Sequence, residues 1–82
     1  MSKFKKALAR LKSRPKDLTW SELQKIMVHF GYQEIAGGGS RRKFFNTKTK
    51  VSINLHEPHP QPEIKMYAID IVIEHLKEEG LI

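Results

Sequence analysis

Two histidines stand three positions apart in the run Asn54-Leu55-His56-Glu57-Pro58-His59-Pro60, and a cationic segment, Arg41-Arg42-Lys43-Phe44-Phe45, precedes them. An imidazole changes charge nearer to neutral pH than any other side chain, so it can take up or give a proton there. A guanidinium cannot accept a proton at neutral pH, but it can stabilise a charged phosphorus centre. These types match RNA cleavage without a metal: a base removes the 2′-OH proton, a cation stabilises the phosphorane and an acid protonates the leaving oxygen. His59, in a Pro-His-Pro loop that restricts where its ring points, is the leading candidate for proton transfer. His56 is the second, and Arg41 is the catalytic cation. The competing reading is a loop histidine that only hydrogen-bonds the backbone. His-x-x-His also resembles a metal pair, but a zinc site needs three or four ligands and the metalloprotease form of the spacing needs a helix, which Pro58 and Pro60 prevent. No metal and no small-molecule cofactor is expected.

The same region has the residue types that hold single-stranded RNA. Arg41, Arg42, Lys43, Lys48 and Lys50 are candidate phosphate contacts, and Phe45 is a candidate ring for stacking a base. Val51, Ile53 and Leu55 alternate with Ser52, Asn54 and His56, the period-two pattern of a strand with one buried and one wet face. If Phe44 points to the core, then Arg41, Lys43 and Phe45 share the open face with His56. The alternative has both phenylalanines packed and the cations guarding the strands against edge pairing.

The elements that position these residues follow from local pattern. Phe4, Ala7, Leu8 and Leu11 recur at helical spacing among basic residues, which predicts a basic amphipathic helix over residues 2–13, stopped by Arg14-Pro15. Thr19-Trp20-Ser21-Glu22 has the capping-box form, so a second helix starts there, with its stripe Trp20, Leu23, Ile26, Met27 and Phe30 ended by Gly31. Tyr32 to Ala36 and Arg41 to Asn46 are expected as strands either side of the Gly37-Gly38-Gly39 turn, and Val51 to His56 as a third. The prolines of residues 58–62 hold a stiff loop before a last helix with the stripe Met66, Ile69, Val72, Ile73 and Leu76. The predicted fold is α+β: a two-layer sandwich of a three-stranded antiparallel sheet with two helices on one face, plus an extra N-terminal basic helix.

Composition limits the alternatives. The 82 residues carry a formal charge of +6 and no cysteine. So short a chain supports one core, here read as a single domain over 1–82 with a basic helical segment 1–16 and a core segment 17–82. A multidomain enzyme and a disulfide framework are excluded, and the lack of cysteine suits a reducing compartment, so a cytoplasmic location is expected. No apolar run approaches the roughly 20 residues needed to span a bilayer, and no membrane partner is expected. The charge is in blocks: seven bases and no acid in residues 1–16, and five bases and no acid in 41–56, against six acids and two bases in 57–82. Both basic blocks are candidate phosphate contacts. A membrane-surface first helix and a DNA-binding regulator are weaker readings, since the apolar face is small and no helix-turn-helix is evident.

Four features taken in order resemble the HicA-type toxins, the small mRNA-cleaving members of bacterial toxin–antitoxin pairs. They are Trp20 in a short helix ending at Phe30-Gly31, Gly39-Ser40 opening a strand, the run Asn54 to Pro60, and a final helix through Met66-Tyr67 ending in Leu76-Lys77-Glu78-Glu79-Gly80-Leu81. The resemblance implies a fold like a double-stranded RNA-binding domain, metal-independent cleavage of mRNA, and neutralisation by a HicB-type antitoxin that covers the active surface. The family's catalytic histidine usually follows the Gly-Ser pair, and Arg41 stands there in this chain. Either His59 or His56 then supplies the proton transfer, or the chain is a non-catalytic RNA- or antitoxin-binding module.

Overall fold

In the computed structural model, which describes residues 3–82, the chain runs α1 (Lys3–Lys12), α2 (Trp20–His29), β1 (Tyr32–Ala36), β2 (Arg41–Asn46), β3 (Ser52–His56) and α3 (Met66–Glu78). The predicted start of the first helix at residue 2 lies outside the described residues. Thr19 caps α2 as its sequence requires: its side chain accepts from the Glu22 backbone N–H, and the Glu22 carboxylate accepts from the Thr19 backbone N–H. After the last turn Gly31 takes φ +94°, a left-handed conformation that a side chain disfavours. That turn redirects the chain from α2 into β1.

The sheet is antiparallel in the order β1-β2-β3. Its register pairs Glu34 with Phe44, and Phe44 with Ile53, which puts Phe44 on the helix side at 0% exposure. Its neighbour Phe45 therefore turns to the other face, where it is half-buried. α2 packs on β1 and α3 on β3, while α1 lies against α2 and, less extensively, α3. The fold is α+β and consistent with a double-stranded RNA-binding-domain-like arrangement.

α1 is added outside the sandwich in sequence terms, yet its apolar stripe enters the common core. Ala7 and Leu11 are buried beside Leu18, Leu23, Met27 and Leu76. Arg10 of α1 and Arg14 just beyond its end are both paired with carboxylates of the same chain. Arg10 Nε donates to Glu22 at 2.6 Å and Arg10 Nη2 to Asp17 at 3.0 Å, and Arg14 Nε donates to Asp70 at 2.7 Å. Burial pushes the Glu22 carboxyl up, but the Arg10 hydrogen bond, the Thr19 amide and the Arg10 charge together hold it below the usual carboxylate range.

One buried polar side chain organises the far end of the sheet. Asn46, 3% exposed, donates Nδ2 to the Phe30 carbonyl at 3.2 Å, and its Oδ1 accepts from the Lys48 and Thr49 amides at 2.9 and 3.1 Å. One amide thus closes both the α2–β1 corner and the β2–β3 turn. Among the described residues no helix is long and apolar enough to cross a membrane.

Candidate active site at one end of the sheet

Arg41 and His56 face each other as cross-strand partners where β2 begins and β3 ends, and both side chains are exposed on the open face. The turn before Arg41 is tight: Gly37 donates its amide to the Arg41 carbonyl at 2.8 Å, and a Cβ on Gly37 would lie 3.2 Å from that of Arg41. Glycine permits this close approach. Ser40 then sits beside His56, with Ser40 Oγ 3.3 Å from His56 Nδ1. If Nδ1 carries the proton and donates to Ser40, Nε2 keeps a lone pair available to a substrate.

The proline loop that carries His59 is tied at both ends. The Glu57 amide donates to the Ser40 carbonyl at 2.8 Å, while past the last proline Trp20 N donates to Pro62 O at 3.0 Å and Ile64 N to Leu18 O at 2.8 Å. His59 is exposed between these anchors. Three prolines leave the loop few donors, so backbone pairing elsewhere cannot draw it away.

Two recesses meet at His56. On the open sheet face a cleft of about 540 Å³ is lined, among others, by Ile35, Arg41, Arg42, Lys43, Asn54 and His56, and no carboxylate lines it among the described residues. Between the proline loop and α3 a second cavity, about 240 Å³, is lined by Ser40, His56, His59, Glu63, Lys65 and Tyr67, among others. The first is cationic and open; the second is closer to neutral. Among the described residues no group of three or more His, Asp or Glu side chains is placed to hold a metal ion.

The structure thus brings Arg41, Lys43, His56 and His59 to one end of the sheet, with Phe45 further along the same face. It places three other predicted contacts elsewhere. Arg42 alternates to the opposite face, where its Nε lies 3.1 Å from Glu57 and 3.7 Å from Glu34, and its Nη1 donates to the Gly39 and Arg41 carbonyls. Glu34 in turn accepts from Trp20 Nε1 at 3.3 Å and Gln24 Nε2 at 2.6 Å. Arg42 is therefore held inside an acidic network. Lys48 and Lys50 occupy the β2–β3 turn, at the opposite end of the strands from His56, roughly 16 Å away for a five-residue strand.

A family model described as "HicA toxin of bacterial toxin-antitoxin" matches residues 20–78. This chain belongs to the HicA toxin family. The match runs from the first residue of α2 to the last of α3 and so contains Arg41, His56 and His59, leaving α1 outside it. HicA membership makes the chain a toxin of a toxin–antitoxin pair, with a partner of that kind. Searches of curated proteins and of solved structures returned no match.

Residue-by-residue reading of the HicA chain missed Ser40 as the partner of His56, and Lys65 and Tyr67 as walls of the His59 cavity. The Gly39-Ser40 pair was a signal for the first. For Tyr67 the signal is a bulky ring off the apolar stripe, 57% exposed one residue after Met66.

Proposed function

We propose that this HicA-family chain cleaves single-stranded RNA, as an mRNA endonuclease that needs no metal or small-molecule cofactor. The observation that carries the reading is the pairing of His56 with Arg41 across the strands, at the junction of a cationic cleft and the cavity that His59 lines. Arg41 and Lys43 engage the phosphodiester. His56, with Nδ1–H donated to Ser40, accepts the 2′-OH proton at Nε2 as the 2′-oxygen attacks phosphorus. Arg41 stabilises the phosphorane, and His59 protonates the 5′-oxygen as the P–O5′ bond breaks. The products are a 2′,3′-cyclic phosphate and a 5′-hydroxyl. Phe45 supports binding by stacking a base further along the open face.

A HicB-type antitoxin is the proposed toxin–antitoxin partner, covering Arg41, Lys43 and His59, and the cytoplasm, where mRNA is found, is the proposed compartment. Incubating the protein with single-stranded RNA in EDTA tests the enzyme reading. Cyclic-phosphate ends are expected, with cleavage lost in the His56→Ala/His59→Ala double variant. Cleavage unchanged in that variant removes both histidines from the mechanism. Arg41 at the position where the family usually has a histidine favours a second reading, a non-catalytic RNA- or antitoxin-binding module. Salt-dependent binding with no cleavage between about pH 5 and 9 selects it.

A further inference from the structure

The two recesses at His56 differ in charge, and the difference determines what each can hold. Arg41 and Lys43 line the open cleft with no carboxylate beside them among the described residues, which suits a phosphate. Beyond His56, Glu63 offsets Lys65, and Glu57 is paired to Arg42 at 3.1 Å, so the cavity offers no excess positive charge to an anion. A neutral, planar group fits it better. Tyr67, in the first turn of α3, stands in its wall with 57% of its surface exposed, and no ring contact or hydrogen bond engages it among the described residues. An exposed tyrosine offers a flat face that stacks any base at little entropic cost, since only two side-chain torsions need fixing.

We infer that the cavity between the proline loop and α3 is a nucleobase subsite, in which the Tyr67 ring stacks the base next to the bond cleaved at His56. The inference rests on the RNA-cleaving reading and extends it. One flank of the substrate is held by its phosphates on Arg41 and Lys43, the other by its base on Tyr67, and the scissile phosphate lies between them.

The test compares kcat/KM for the unmodified protein, Tyr67→Ala, Tyr67→Leu and Tyr67→Phe. Two single-stranded RNA oligonucleotides are used, one intact and one abasic at the nucleotide flanking the mapped cleavage site. Stacking is worth about tenfold to a hundredfold per base. Tyr67→Ala and Tyr67→Leu are expected to lose about that factor on intact RNA, and Tyr67→Phe to stay within about twofold. On abasic RNA the unmodified protein should fall to the level of Tyr67→Ala, which itself loses nothing further. Equal rates for the unmodified protein and Tyr67→Ala overturn the subsite, as does a Tyr67→Ala loss of the same size on both substrates, which marks a structural role. If the unmodified protein neither binds nor cleaves RNA, both the subsite and the reading beneath it fail. If Tyr67→Ala alone lacks a cooperative melt, the Leu and Phe variants decide the result.

Discussion

Replacing Arg42 by alanine should destabilise the fold and leave the cationic cleft on the open sheet face intact. The side chain is 22% exposed and makes four contacts: Glu57 at 3.1 Å, Glu34 at 3.7 Å, and the Gly39 and Arg41 carbonyls at 2.9 and 2.8 Å. The Glu34 contact is too long for a hydrogen bond and adds a few tenths of a kcal/mol by attraction alone. The Glu57 pair is partly solvated and contributes about 0.5–1 kcal/mol; the two carbonyl bonds from one nitrogen together contribute about 1 kcal/mol. Arg42→Ala should therefore cost about 2 kcal/mol and lower Tm by roughly 10 °C in a domain of this size. Lysine has a point charge with no fork, so Arg42→Lys should recover less than half. Thermal melts followed by circular dichroism, with urea midpoints at unchanged m, measure the loss. RNA affinity against salt, taken where each variant is folded, measures the rest. An Arg42→Ala protein that melts within about 2 °C of the parent, and whose RNA salt slope falls by about 0.7, would refute the reasoning and return Arg42 to the candidate phosphate contacts.

Three further outcomes are expected. Asn46→Ala should cost about 2–3 kcal/mol, because it leaves the Phe30 carbonyl and the Lys48 and Thr49 amides without their partner, and a urea titration measures it. Leu11→Ala should cost about 2–5 kcal/mol, since Leu11 is 0% exposed; a cost below about 0.5 kcal/mol would make α1 an appendage instead of part of the core. The Glu22 carboxyl titrates lower in the folded chain than unfolded, so it contributes stability that is complete above its unfolded range near pH 4.5 and is lost as pH falls through the depressed folded value. Glu22→Gln should accordingly be less stable than the parent at pH 7, and the gap should close as pH falls through the depressed folded value; melts in a pH series check it.

Much of the architecture is written in short-range pattern. The capping box at Thr19, the stripe from Trp20 to Phe30 and the alternation of residues 51–56 each report a local preference that burial then satisfies, so the element order follows from the residues. The facing of Phe44 was legible for the same reason: a period of two leaves one of two adjacent phenylalanines outside, and the apolar set of the neighbouring strand selects which. Arg42, Lys48 and Lys50 were grouped with Arg41 as candidate phosphate contacts because they share one basic block of the chain. A strand sends adjacent side chains to opposite faces and carries its turn to the far end, so proximity in sequence is not proximity in space.

Composition and periodicity pointed to a small α+β fold with its positive charge in two blocks, and the motif order carried the resemblance to the HicA family that the family match then showed. Each element and each motif is a local property, readable from its own short stretch of chain. What the basic residues do was decided only by folding. Arg10 and Arg14 meet Glu22 and Asp70, Arg42 meets Glu34 and Glu57, and Arg41 is the strand arginine paired with His56. The joining of His56 to Ser40, and of His59 to Lys65 and Tyr67 around one cavity, likewise depends on a proline loop pinned at both ends. A charge acts on its neighbours in space, and contacts between residues distant along the chain exist only once the core has formed.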